Sequence, residues 1–413
     1  MTTAVEAIEF PTLRDEEWRF TNVSALAKAN RVKAERPSVP PVGVREAIAK
    51  VAYAECALAV FVDGFFYPEL SLLAGLPKGV EVSGLARHAG DTVLDRVGQL
   101  ARTEGKPFVA MNALEYSDGA WVRVAPGAVV EKPIQLLFLA TATPDGAAES
   151  LRTSYPRNLL LFGENCQATV LEHHVSVGEG ASFVCAVTEI VAEDRAVVDH
   201  YLLQRLNDAS SLIAAEQIHT GRGTAFSSHQ FDLGAALARH DVGCVLAGEG
   251  ADVILNGLYL VEGSRLADTH MRVEHAAAHC GSHELYKGVL DGKGRGVFNG
   301  RIYVHKGAQK TDAKQTNRNL LLSKDAMAHT NPQLEIFADD VKCTHGSTVG
   351  QLDEDAIFYL RSRGIGELAA KSLLTYAFAS DVIERIRLVP LKQEMESYLF
   401  GWLPMGDVVR DAV

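Results

Sequence analysis

The chain has 413 residues, 47% hydrophobic and 22% charged, enough apolar material for a large core in two or three structural units. Its 40 basic residues face 52 acidic ones for a formal charge of −12, and no long Lys/Arg run is interleaved with aromatics, which argues against nucleic acid as a partner. Six cysteines at 56, 166, 185, 244, 280 and 343 form no C-x-x-C pair, a usage that suits a reducing cytosol better than a disulfide-bonded, secreted protein.

The opening residues, Met1 to Glu9, carry acids where a signal or transit peptide would carry basic residues. No apolar run approaches the ~18 residues of a membrane span, so the expectation is a soluble, cytoplasmic protein without a membrane partner. Thr12 to Asn22 reads as a helix that stops at Thr21-Asn22, with Trp18 and Phe20 fixing it to the body. Pro37-Ser-Val-Pro-Pro41 interrupts any helix and reads as a surface linker. Residues 58 to 67 are two β-rich runs joined by Asp63-Gly64, a strong hairpin signal. Val93, Leu94, Val97 and Leu100 recur at helical spacing between Asp91 and Arg102. Residues 1–108 therefore form a mixed, mainly helical N-terminal region.

From about Trp121 the texture changes to short β-branched runs separated by Gly, Asn and Asp turns. Small-residue clusters ending at Ala181, Ala196, Ser210 and Thr224 are 15, 14 and 14 residues apart, and the pattern returns at Gly248-Glu-Gly-Ala251. This loose repeat fits a parallel β-helix over residues 109–350, in which each coil buries its inward face on the next; a β-sandwich is the runner-up. After Gly350 helical periodicity returns. Ile365, Leu368, Ala369, Leu373, Tyr376 and Ala377 make one apolar stripe, and Leu391, Met395 and Leu399 belong to a second helix after Pro390. This unit, residues 351–413, is too small for a generous core and must dock on the β region, on a partner, or on both.

Several motifs weigh little. Gly292-Lys-Gly-Arg-Gly296 is followed by a strand and turn where a dinucleotide site needs a helix, so it reads as a solenoid turn. Gly366 to Ser372 imitates a Walker A ending but lacks Gly before Lys371 and lies inside a helix, which argues against ATP binding by this chain. His283-Glu284 lacks the second His of a zincin motif. In the histidine-rich segment, helical spacing would place His275, His279 and His283 on one face near His270 and Cys280; structural or solvent-facing histidines are the alternative to a metal site. Of His173 and His174, adjacent on a strand after Glu172, at most one can serve a given site.

The richest stretch is Pro332 to Gly350, where Leu334, Ile336 and Phe337 lead into Asp339-Asp340 and then Cys343-Thr-His345-Gly. If extended, it places Cys343 and His345 on one face with Cα atoms roughly 6.6 Å apart, able to address one ion or cluster. The alternative is that both follow Val341 into the core, Cys343 as a small hydrophobe and His345 as a satisfied imidazole.

Residues 281 to 378, in particular Glu284-Leu-Tyr-Lys-Gly-Val-Leu, Phe298-Asn-Gly-Arg-Ile, Ala308-Gln-Lys-Thr-Asp, Asn319-Leu-Leu-Leu-Ser, Pro332-Gln-Leu-Glu-Ile, Asp339 to Gly346 and Phe358 to Ile365, resemble the SufB/SufD family of iron–sulfur cluster assembly proteins. Glu17-Trp-Arg-Phe-Thr21 and Asp63-Gly64 resemble it more loosely. Cys-Thr-His-Gly-Ser-Thr-Val-Gly is similar to the SufD side of the family, the SufB side usually carrying His-Glu-Ala after its Cys-x.

The resemblance implies a right-handed parallel β-helix flanked by N-terminal and C-terminal helical regions. It implies a non-catalytic scaffold that pairs with a SufB-like paralogue through the β-helix and with a SufC-like ATPase through the C-terminal helices. It also implies that His345, with Cys343 as helper or neighbour, contributes to a transient iron–sulfur cluster at the SufB interface; flavin involvement stays open. Clusters take about four protein ligands, mostly Cys, so two from this chain require completion by another. An interface built for a close paralogue also allows a homodimer in isolation. A reading from a different class is a metal-dependent β-helix enzyme acting on a small or saccharide substrate. It lacks an identifiable carboxylate pair or nucleophile–base constellation.

Overall fold

Each β-branched run becomes a strand because a turn residue stops it after about ten positions, and each strand then pairs with the strand one coil away rather than with its sequence neighbour. The computed structural model describes residues 8–142 and 150–413, so the acidic opening up to residue 7 lies outside the described residues. Strands alternate between two sheets: Ser182–Ala192, Ser211–Thr220, Leu237–Leu246, Leu266–His275, Arg295–Val304 and Met327–Ile336 follow one another in the first. Gln167–Val177, Val197–Arg205, Ala225–Asp232, Asp252–Val261, Gly281–Leu290, Asp312–Leu321 and Lys342–Gly350 follow one another in the second. All these pairings are parallel. Gln167 pairs with Val197, then Ala225, Asp252, Gly281, Asp312 and Lys342, a coil of 27 to 31 residues in a parallel β-solenoid of about seven turns.

The 14–15-residue repeat in the sequence is thus half a coil, one strand plus one turn. One turn column is built from Asn165, Arg195, Gly223, Gly250, His279 and Lys310, all with positive φ between 56° and 73°. Stacked left-handed turns point their N–H groups at the carbonyls of the next coil. Asn165 N donates to Asp194 O at 2.9 Å, Arg195 N to Arg222 O at 2.8 Å and His279 N to Gln309 O at 2.9 Å. Gly292, at φ 62°, occupies the opposite turn column, so the glycine cluster at 292–296 is a solenoid turn.

At residues 57–66 the expected hairpin forms: Ala57–Val62 and Phe65–Phe66 pair antiparallel across Asp63 and Gly64, both with positive φ. Two expected helices reduce to single turns. Within Thr12–Asn22 only Glu16–Trp18 is helical, because side chains pin this segment to the first sheet. Trp18 packs between the Phe108 ring and the Arg239 guanidinium, the latter 3.7 Å from its ring centre, and Phe20 stacks on His329 at 3.9 Å. Within Asp91–Arg102 only Thr92–Arg96 is helical. There Gly98 turns left-handed at φ 86°, and the N–H groups of Gly98, Leu100 and Ala101 bind the buried Glu189 carboxylate instead of continuing a helix.

At the C-terminal end, helices Glu354–Ser362, Glu367–Ile383, Val389–Trp402 and Gly406–Arg410 fold back on the outer face of the second sheet. Leu391, Met395 and Leu399 are fully buried with Leu203, Phe231 and Leu260 of the sheet, each contributing roughly 1.5–3 kcal/mol of apolar burial. The helix Glu367–Ile383 is rotated from the expected stripe: Ala369, Ala370, Thr375, Ala379, Val382 and Ile383 face inward, and Leu368 is 61% exposed. Small residues let this helix approach the sheet closely. Lys287 fastens it, donating to Phe378 O at 2.9 Å and pairing with Asp381 at 2.8 Å.

Candidate functional site at the open end of the solenoid

Every interior coil is covered on both sides, but the last is not. Met327–Ile336 and Lys342–Gly350 end their sheets, so each presents one edge without a strand partner among the described residues. A β-solenoid end of this kind calls for a cap or a partner, since its coil faces and backbone groups are otherwise left in water.

The strand Lys342–Gly350 is extended as expected. Cys343 lies opposite Ala313 and His345 opposite Gln315, so both side chains belong to one face. They differ in burial. Cys343 is half-buried against Ala313, Leu334 and Val341, and burial pushes its thiol up; His345 is exposed at the rim. The core-imidazole alternative therefore fails for His345 and holds partly for Cys343. Asp339 and Asp340 lie in the preceding turn, where Asp340 pairs with Lys310 and its carbonyl accepts from Lys310 N at 2.6 Å.

Beneath His345 runs a column one residue wide. Gln315 pairs in register with Glu284, and Glu284 with Leu255. Gln315 is 0% exposed and Glu284 2%, and burial pushes the Glu284 carboxyl up to about 8. Neutral Glu284 below an exposed imidazole gives the rim a polar but uncharged floor. Motif inspection passed over Gln315 and read Glu284 only as half of a failed zincin motif. Their signal was register, Glu284, Gln315 and His345 each lying about one coil apart.

The histidine-rich segment does not form a site. Leu266–His275 and Gly281–Leu290 are strands joined by a turn, so no helix aligns its imidazoles. His270 pairs with Glu17 and Asp268, His275 accepts or donates to Ser282 Oγ inside the solenoid at 2.9 Å, His279 occupies the left-handed turn, and Cys280 is buried. His173 and His174 face opposite ways: His173 reaches Gln135, whereas His174 stacks on Phe138 at 4.8 Å.

Chemically, the rim offers one thiol and one imidazole on a single strand. A thiolate and a neutral imidazole suit iron or zinc, and two ligands leave the remaining positions to another molecule.

Comparison with known proteins shows the family. Residues 144–378 match the family model described as SUF system FeS cluster assembly, SufBD core domain, and residues 2–136 match the SufBD protein N-terminal region. The iron–sulfur cluster assembly protein SufD of Escherichia coli is 34% identical over 96% of this chain and 90% of its own length. A SufBD-family iron–sulfur cluster assembly protein of Synechocystis is 32% identical over 94% of the chain and 86% of its own length. A chloroplastic protein of Arabidopsis thaliana, ABCI7, is 27% identical over 95% and 83%. With a parallel β-solenoid, a Cys-x-His strand at its open end and relatives that align along nearly the whole chain, this protein belongs to the SufB/SufD family of iron–sulfur cluster assembly proteins, and within it is most like SufD.

Proposed function

We propose that the chain is a non-catalytic, cytosolic scaffold subunit of a SUF-type complex, in which Cys343 and His345 are its contribution to a nascent iron–sulfur cluster made between two chains. The observation that carries this is the uncapped end: His345 is exposed on a strand whose outer edge has no strand partner among the described residues, where a second solenoid end could continue both sheets and bring the missing ligands. Met327, Ile336, Phe337 and Val349 add exposed apolar surface at the same end. A SufB-like paralogue, itself a solenoid of the same family, is the proposed partner, and the cluster is cargo rather than a resident group. Imidazole is a weaker anchor for iron than thiolate, which favours release.

The C-terminal helices are the proposed contact for a SufC-like ATPase. Their inner faces are used up on the sheet, whereas Phe358, Tyr359 and Leu368 are 72%, 56% and 61% exposed on the outer side. ATP hydrolysis then belongs to the partner. Reconstitution of the complex with His345→Ala tests the reading: cluster yield should fall strongly while the complex stays assembled, and normal yield from an intact complex would refute it.

A further inference from the structure

Inside the solenoid, several coils from the open end, three ligand-type side chains converge in a place that cluster assembly at the rim does not use. Glu172 and His200 come from neighbouring strands of the second sheet and Glu216 from the facing first sheet; they are 1%, 1% and 3% exposed. One carboxylate oxygen of each glutamate and one ring nitrogen of the histidine lie within 4.8 Å of one another. His200 Nε2 is 3.1 Å from Glu172 Oε1 and 3.9 Å from Glu216 Oε1. Donor atoms bound to a tetrahedral zinc at about 2.0–2.2 Å are roughly 3.4 Å apart, so the two pairs that include His200 lie within about half an ångström of that spacing.

His200 Nε2 and Glu172 Oε1 are hydrogen-bonded to each other, and the remaining hydrogen bonds engage the other atoms of these side chains, so the three ligand atoms point at one another. His200 Nδ1 is 2.9 Å from Ser228 Oγ, so the ring can donate there and turn the Nε2 lone pair inward. Glu172 uses its other oxygen, Oε2, to accept from Asn158 Nδ2 at 3.1 Å and Thr188 Oγ1 at 3.0 Å. Glu216 Oε1 is buried with no hydrogen-bond partner among the described residues. A buried carboxylate oxygen without a donor is costly, and a cation is the group that would satisfy it together with its two neighbours.

We propose that Glu172, His200 and Glu216 bind one divalent transition ion of the zinc or ferrous class, tying the two sheets together across the lumen. Two carboxylates, one neutral imidazole and a dication sum to zero charge, the balance that a sealed interior requires. One nitrogen and otherwise oxygen donors favour such borderline ions over the thiolate-rich setting of an iron–sulfur cluster. Bidentate binding by Glu216 supplies a fourth donor. Asp232 and His240 flank Glu216 and are paired with each other at 2.8 Å.

The full chain should be purified from cells grown with added Zn2+, washed with chelator to strip surface ions, and its zinc content measured. The expected result is about one equivalent per chain, unchanged in a Cys343→Ser/His345→Ala variant and reduced at least tenfold in Glu216→Gln. The double variant separates this ion from the cluster site at the rim. Less than a tenth of an equivalent in the wild type overturns the proposal, as does zinc retained by a folded Glu216→Gln chain. Should that variant not fold, X-ray absorption on the wild-type zinc decides: a nitrogen and oxygen shell is expected, and a sulfur scatterer overturns the proposal.

Discussion

Replacing Arg157 by Met should cost about 3 kcal/mol, and replacing its partner Glu189 by Leu about 5 kcal/mol, an asymmetry that follows from who else holds each charge. The two side chains are 1% and 0% exposed, with Arg157 Nη2 donating to Glu189 Oε1 at 2.6 Å. Removing one partner of such a pair costs about 3–5 kcal/mol, because the charge left behind has neither water nor counter-charge. In Arg157→Met the stranded carboxylate still accepts from the N–H groups of Gly98, Leu100 and Ala101 at 2.7, 2.8 and 3.0 Å, which puts the loss at the lower end. In Glu189→Leu the stranded guanidinium keeps only Asn112 Oδ1 at 3.3 Å among the described residues, and three backbone donors lose their acceptor, which puts the loss at the upper end. Urea unfolding followed through tryptophan fluorescence measures both, Trp121 lying buried on the neighbouring strand, with an unchanged slope as the sign that the unfolded state is not altered. Amide exchange at residues 98–101 should accelerate in Glu189→Leu and stay slow in Arg157→Met. A loss below about 1 kcal/mol in Arg157→Met, or equal losses in the two variants, would refute the reasoning.

Leu391→Ala, at a fully buried position between helix and sheet, should lose about 3–5 kcal/mol by urea unfolding and free the C-terminal helices to exchange first. Glu284, raised by burial from an ordinary 4.5 to about 8, binds more protons folded than unfolded over that window, so its contribution is present below about pH 4.5 and lost as pH rises through about 8. Glu284→Gln should therefore gain stability over the wild type as pH rises from 5 to 9, by a few kcal/mol at the top of the range, and parallel pH curves would contradict this. His270 has the opposite balance: burial lowers its pKa, but Asp268 and Glu17 outweigh burial and raise it to about 9. The contact it gives the N-terminal segment is full below 6.5 and lost as pH rises through about 9, so His270→Gln should speed proteolysis of residues 8–22 at pH 7 and make no difference at pH 10.

Half-coil periodicity, the Asp63-Gly64 hairpin and the Cys343-Thr-His345 strand were legible because each is set by a few neighbouring residues: turn residues, β-branched runs and period two. The helices expected at Thr12–Asn22 and Asp91–Arg102 were not, because their outcome depends on distant groups. Trp18 meets Arg239 and Phe108 on the sheet surface, and the amides after Gly98 meet Glu189. In both places a tertiary contact outweighs helical spacing worth a few tenths of a kcal/mol per residue. The histidine-rich segment misled for the related reason that a strand, a turn and a strand were read with a helical period.

The sequence by itself determined the coil and the face that carries Cys343 and His345: spacing fixes one strand per 14 or 15 residues, and period two puts both side chains on one side of the strand. Tertiary structure decided which coil is last. That makes His345 a rim residue and not a core one, places Gln315 and Glu284 under it, and brings Glu172, His200 and Glu216 together from strands up to 44 residues apart. Stacking register is a sum of many weak, non-local pairings, and it is the register, not any local pattern, that selects which side chains meet.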